Sequence, residues 1–136
     1  MSTVALKGCN AVEFSFANKL PNGTQIKLGN KYQYNVKYAA NTNGCIGEMS
    51  IHVFDRENED KFFVKLVLRG AFSYDKNAEK EQIHVDSYKA LFPYARAMIT
   101  TMTANAGIPP IYIPEADIES QSIYRFDLGG AKPQGE

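Results

Sequence analysis

Few side chains in this 136-residue sequence are spaced for bond-making chemistry. His52 and His84 stand alone, without the closely spaced His, Cys or carboxylate partners from which zinc sites are built, so both read as solvated strand or loop histidines. Cys45, beside Gly44, has no base marked for it, and a thiol needs one or a depressed pKa to act as a nucleophile. It reads instead as a small buried residue at the start of a strand. The chain has no glycine-rich phosphate loop, no GxSxG, no HExxH and no carboxylate pair flanked by apolar residues. The expectation is a protein that is not an enzyme and uses neither metal nor cofactor.

Binding chemistry is better represented. Tyr32, Tyr34 and Tyr38 fall on one side of an alternating run and offer aromatic faces, while the intervening Lys31, Gln33, Asn35 and Lys37 are only modestly basic. Fifteen basic residues balance fifteen acidic ones, so net charge supplies no footprint for nucleic acid or an anionic membrane. The tyrosines therefore read as core or peptide contacts rather than as an RNA-stacking platform. Cys9 and Cys45, isolated in different regions, fit a reducing cytoplasm better than a disulfide framework. The first residues contain no apolar run long enough for export or membrane insertion, which gives a cytoplasmic expectation.

The elements that must position these groups follow from periodicity. Residues 11–16 alternate, with Val12, Phe14 and Phe16 on one face, and a short extended piece with Ile26 and Leu28 follows a Pro-Asn-Gly turn. Residues 31–38 alternate most clearly; after an Asn-Thr-Asn-Gly loop, 49–55 form a third strand, and after the acidic loop 56–60 the run 62–74 forms the longest. Hairpin-sized loops join the last three, so the expected sheet has four antiparallel strands. Residues 75–82 read as a polar connector. From Asp86, taken as a cap, apolar residues at 88, 91, 92, 95, 98, 99, 102 and 106 share one helix face up to Gly107, with Pro93 as a kink or a restart. Ile108-Pro-Pro-Ile-Tyr-Ile-Pro114 must then be extended, an apolar strap that needs an apolar surface beneath it. The expectation is one α+β domain over 1–128, with a long helix packed on one face of the sheet, and a disordered tail over 129–136.

Leu91-Phe-Pro-Tyr-Ala-Arg96, followed by Ile99-Thr-Thr-Met102, Gly107 and the proline-held strap, resembles the signature of the SecB family of bacterial export chaperones. Glu13-Phe-Ser-Phe16 and Arg69-Gly-Ala-Phe-Ser73 are similar to the family's first strand and to the end of its fourth, so the likeness covers about residues 11–118. The resemblance implies a dimer of dimers that holds unfolded polypeptides in apolar grooves without ATP. It places a client groove at Ile108, Ile111, Tyr112 and Ile113, with Tyr32 and Tyr34 beside them. It also implies a contact for a translocase motor's basic tail at Glu13, Glu57, Glu59 and Asp60, although Ala17 and Asn18 stand where acidic character is expected. Small and polar residues on the helix, Ala97, Thr100, Thr101, Ala104 and Asn105, would then let another copy approach. The sequence departs from the family after the strap, where residues 118–129 are too weakly amphipathic for a full second helix; Tyr124, Phe126 and Leu128 would instead add an extended segment to an edge, in a shortened SecB-like member. A chaperone for one antitoxin-like client, or a partner-binding or self-assembling protein of this fold without general client capture, are the alternatives.

Overall fold

A computed structural model describes residues 3–114. The expected second-helix region, the segment 124–128 and the tail lie outside those residues. Four strands, β1 (Val4–Asn18), β2 (Leu28–Tyr38), β3 (Gly44–Asp55) and β4 (Phe62–Tyr74), precede one helix, α1 (Lys80–Asn105). All pairings are antiparallel and the spatial order is β1-β4-β3-β2, which leaves β1 and β2 as the two edges.

Side-chain alternation decides what the sheet buries. Tyr34 on β2, Met49, Ile51 and Val53 on β3, and Val64, Leu66, Leu68 and Phe72 on β4 face α1 and are almost fully buried. From α1 the matching residues are Ile83, Tyr88, Leu91, Phe92, Ala95 and Ile99. Each such side chain contributes about 1.5–3 kcal/mol by leaving water, which makes this interlayer contact the main source of stability. Tyr34 and Tyr88 bring polar tips into this core, their rings 5.5 Å apart. For Tyr34 the partner is on the helix. Its hydroxyl donates to Ser87 Oγ at 2.6 Å, Ser87 passes a hydrogen bond to the His84 carbonyl, and burial pushes the phenol's pKa far up. Cys45 is buried as expected, and burial raises its thiol pKa, which keeps it protonated and unreactive.

Three details differ from the sequence reading. The helix begins at Lys80, not Asp86, and runs unbroken through Pro93. Asp86 is therefore no cap. It accepts hydrogen bonds from the Thr3 amide at 3.0 Å, the Thr3 hydroxyl at 2.9 Å and Gln82 at 2.8 Å, and so ties the start of β1 to the helix. Burial alone would raise its pKa, but these donors outweigh burial and hold the carboxyl below its usual range. His84 lies on the buried side of this first helical stretch, its ring 5.1 Å from that of Tyr34, rather than in a solvated loop. Finally, β1 starts at Val4 and carries irregularities between Leu6 and Gly8 and between Ala11 and Glu13; the second turns Val12 outward, 46% exposed, while Phe14 and Phe16 still reach the core.

Gly47 on β3 marks a close approach. A Cβ there would overlap the Tyr34 hydroxyl and ring, so the tyrosine lies flat across the place a side chain would occupy. Gly47→Ala is expected to destabilise the fold by about 1–3 kcal/mol through overpacking, read as a lower urea midpoint at an unchanged slope.

Candidate client-binding strap

The helix ends through Ala106 into Gly107, whose φ of 86° is the left-handed conformation that glycine adopts without strain. Pro109 and Pro110 then hold the chain extended as it turns back along α1. Three helix side chains meet it. Thr100 Oγ1 donates to the Ile111 carbonyl at 2.8 Å, Arg96 Nε donates to the Ile113 carbonyl at 3.0 Å, and buried Thr103 Oγ1 accepts from the Ile111 amide at 3.0 Å while donating to the Ile99 carbonyl at 2.7 Å. At the far end the Tyr32 hydroxyl donates to the Pro114 carbonyl at 2.8 Å. Positions 96, 100 and 103 are four and three apart, so they form one row along the helix beside the strap.

These bonds fix which way each strap residue points. Ile111 and Ile113 point inward, 8% and 1% exposed, and complete the core. They do not line an open groove, which corrects the expectation made for them; Tyr34 is corrected likewise, since it is buried under α1. Tyr112 points outward, 69% exposed, whereas Ile108 at the start of the strap and Tyr32 at its far end are half-buried and pack against the core. The Arg96 guanidinium stacks over the Tyr112 ring at 4.4 Å and over the Phe92 ring at 4.9 Å. Phe92 in turn meets Tyr32 edge-on at 6.2 Å. Arg96 thus serves as a clamp between strap and helix, bonded to the Ile113 carbonyl and stacked on two rings.

The residues expected to meet a translocase motor are not brought together. Glu13 pairs opposite Val67, whereas Glu57, Glu59 and Asp60 lie in the β3–β4 hairpin before Phe62, about 17 Å away along β4 at ~3.4 Å per residue. That hairpin holds the connection between the two edge strands. Lys27 N donates to Asp55 Oδ1 at 2.9 Å, Arg56 N donates to the Lys27 carbonyl at 2.8 Å, and Lys19 N donates to the Lys61 carbonyl at 2.7 Å. The exposed Glu57 stands 3.8 Å from Lys27, a pair worth little in water.

On α1, Ala97, Thr101, Ala104 and Asn105 are exposed, but Thr100 is turned to the strap by its bond to Ile111. Tyr94, 50% exposed, extends the outward surface, and so does Met102, 44% exposed, which the apolar row had placed inward; Ala90 and Met98 are half-buried against the core. The missed signal was charge: between Ala90 and Ala106 Arg96 is the sole charged residue, and it faces the strap. Among the described residues no three His, Cys, Asp or Glu side chains come together as a metal site, and no helix is long and apolar enough to cross a membrane.

No family model matches the chain. Among curated proteins it is 36% identical over 78 residues to the protein-export protein SecB of Anaplasma marginale, a match that covers 54% of this chain and 43% of that protein, and so less than half the relative's length. It is 26% identical over 136 residues to SecB of Rhodospirillum centenum, covering 91% of this chain and 79% of that one. Among solved structures, a SecB-like chaperone of Mycobacterium tuberculosis in complex with a ChAD peptide from an antitoxin superposes with a TM-score of 0.66 at 14% identity, over 84% of this chain and 91% of the other.

Thr103→Val would remove the hydroxyl's bonds to the Ile111 amide and to the Ile99 and Thr100 carbonyls while keeping its volume. The expected result is a loss of about 1–3 kcal/mol and faster hydrogen exchange at the Ile111 amide than in the wild type, with exchange in β3 and β4 changing less.

Proposed function

We propose that this chain, a SecB-family protein by its sequence relatives and its fold, is an ATP-independent chaperone that holds unfolded or precursor polypeptides on the strap side of α1. The observation that carries the reading is the orientation of the strap: Ile111 and Ile113 are used for folding, while Tyr112 is held outward on the Arg96 guanidinium. Capture by such a surface is hydrophobic, at about 25 cal/mol per Å² of client apolar area removed from water. An aromatic ring held by stacking contributes this area at low entropic cost and accepts many sequences. No step of holding requires bond chemistry, so the reading is not enzymatic and names no cofactor. Its site of action is the cytoplasm.

The antitoxin peptide bound by the mycobacterial neighbour supports polypeptide as the ligand class. A dedicated antitoxin-like client is the narrower form of the proposal, and delivery to an export translocase is the other. For the latter, the hairpin with Glu57, Glu59 and Asp60 is the local acidic surface, and Glu13 stands apart from it.

Self-association belongs to the same reading. A helix face uncharged over four turns is costly to leave in water and fits a second helix closely. β1, hydrogen-bonded on one side to β4, is an edge of the sheet among the described residues. Together these surfaces support a homodimer, or a tetramer that uses both.

Suppression of aggregation of a chemically denatured protein at equimolar amounts tests the function. Tyr112→Ser is expected to weaken client binding about 5- to 30-fold while lowering stability by no more than about 1 kcal/mol, the worth of an exposed cation–π contact. Assembly with no suppression by the wild type would instead favour a self-assembling protein of the same fold. Light scattering at micromolar concentration is expected to give at least a dimer mass, and Ala97→Glu with Thr101→Glu is expected to reduce it, because two buried carboxylates without partners disfavour the interface.

A further inference from the structure

We infer that the outward face of the sheet, on the side away from α1, is a docking surface for an acidic polypeptide segment. The register lines up Lys31 on β2, His52 on β3 and Lys65 on β4 as direct cross-strand neighbours. The next row places Gln33 beside Ser50, and these five residues line one shallow depression. Further along the face stand Lys37 and Arg69. Among the outward residues of β2, β3 and β4, Glu48 is the sole carboxylate, and Arg69 holds it through two hydrogen bonds of 3.1 and 3.0 Å. On β1, the Glu13 carboxylate accepts from Ser15 Oγ at 3.4 Å. The excess is therefore cationic on a molecule whose formal net charge is zero, and a basic tail would meet like charges here.

The chemistry of the depression selects an acidic chain. Lys31 and Lys65 are anchored two strand spacings apart, about 10 Å. Carboxylates two residues apart on one side of an extended segment stand about 7 Å apart, within the sweep of both lysines. Lys31 is steadied by the Phe54 ring at 5.3 Å, and Ser50 and Gln33 supply donors between the charges. His52 reports on the site. Burial lowers its pKa, Lys31 and Lys65 lower it further, and Glu59 opposes them. A carboxylate seated between the lysines would cancel that repulsion and lift it.

The test uses the full chain and a fluorescent eight-residue peptide of alternating Glu and Ser. The peptide is expected to bind, its affinity to fall as salt rises, and the His52 pKa, followed by NMR, to increase on saturation. K31E/K65E is expected to weaken binding at least tenfold while aggregation suppression is unchanged, which separates this surface from the strap; K31Q/K65Q, with a smaller loss, serves if charge reversal impairs folding. Equal binding of a Gln-Ser peptide, or binding unaffected by either variant, would overturn the inference. Tighter binding of a single-stranded oligonucleotide of matched charge would also overturn it, by making the face a nucleic-acid surface.

Discussion

The strap side of the molecule depends on the need to satisfy main-chain polar groups. Three prolines in seven residues cannot build a ladder with a sheet, and a chain pressed against a helix cannot leave its carbonyls dry and unbonded. The helix supplies the partners itself. Thr100 and Arg96 donate to the carbonyls of Ile111 and Ile113, and Thr103 accepts from the one amide between the prolines that points back at it. Because the two bonded carbonyls are two residues apart, the strap is locked in one parity, with isoleucines inward and Tyr112 outward. A shift by one residue would exchange a buried isoleucine for a tyrosine with no room for its ring. The exposed aromatic surface is thus a by-product of hydrogen bonding that the fold requires anyway.

The same economy separates the remaining surfaces. The inward face of the sheet is closed by α1, whose outward face is free of charge beyond Lys89 apart from Arg96, whereas the outward face of the sheet carries Lys31, Lys37 and Lys65. The charge-poor second half of the helix and the cationic sheet face lie on opposite sides of one domain, so the partners they suit differ in chemistry and need not compete.

Much of this was legible in the sequence. Strict alternation over 31–38 and 62–74 places Tyr34, Val64, Leu66 and Leu68 inward because one buried face demands period two, and the hairpin loops require antiparallel neighbours. The errors have physical causes. Lys80 to Gln82 looked like a connector because the first helical turn is solvated, and Ile83 and Val85 mimic a strand pair until Tyr88 and Leu91 continue their helical row. Val12 turned outward because a β-bulge, invisible to pattern, breaks the period. Ile111 and Ile113 were assigned to a groove because an extended apolar run reveals that one face is covered but not which; that depended on Thr103, a residue whose type carries no such signal by itself. Likewise the cationic row could not be seen in a balanced composition, since Lys31, His52 and Lys65 meet only through register.

Register also bears on how copies would combine. The two edge strands are not equivalent. β2 has the strap's end bonded to it through Tyr32 and Pro114, and its outward residues include Lys31 and Lys37, both of which discourage another strand from pairing there. β1 is longer, at 15 residues, and has Val12 turned out by its bulge. A two-fold pairing of β1 with itself would extend the sheet to eight strands and keep every helix on the same side. Two such sheets could then cover their uncharged helix faces against each other, while the cationic faces and Tyr112 stayed in solvent.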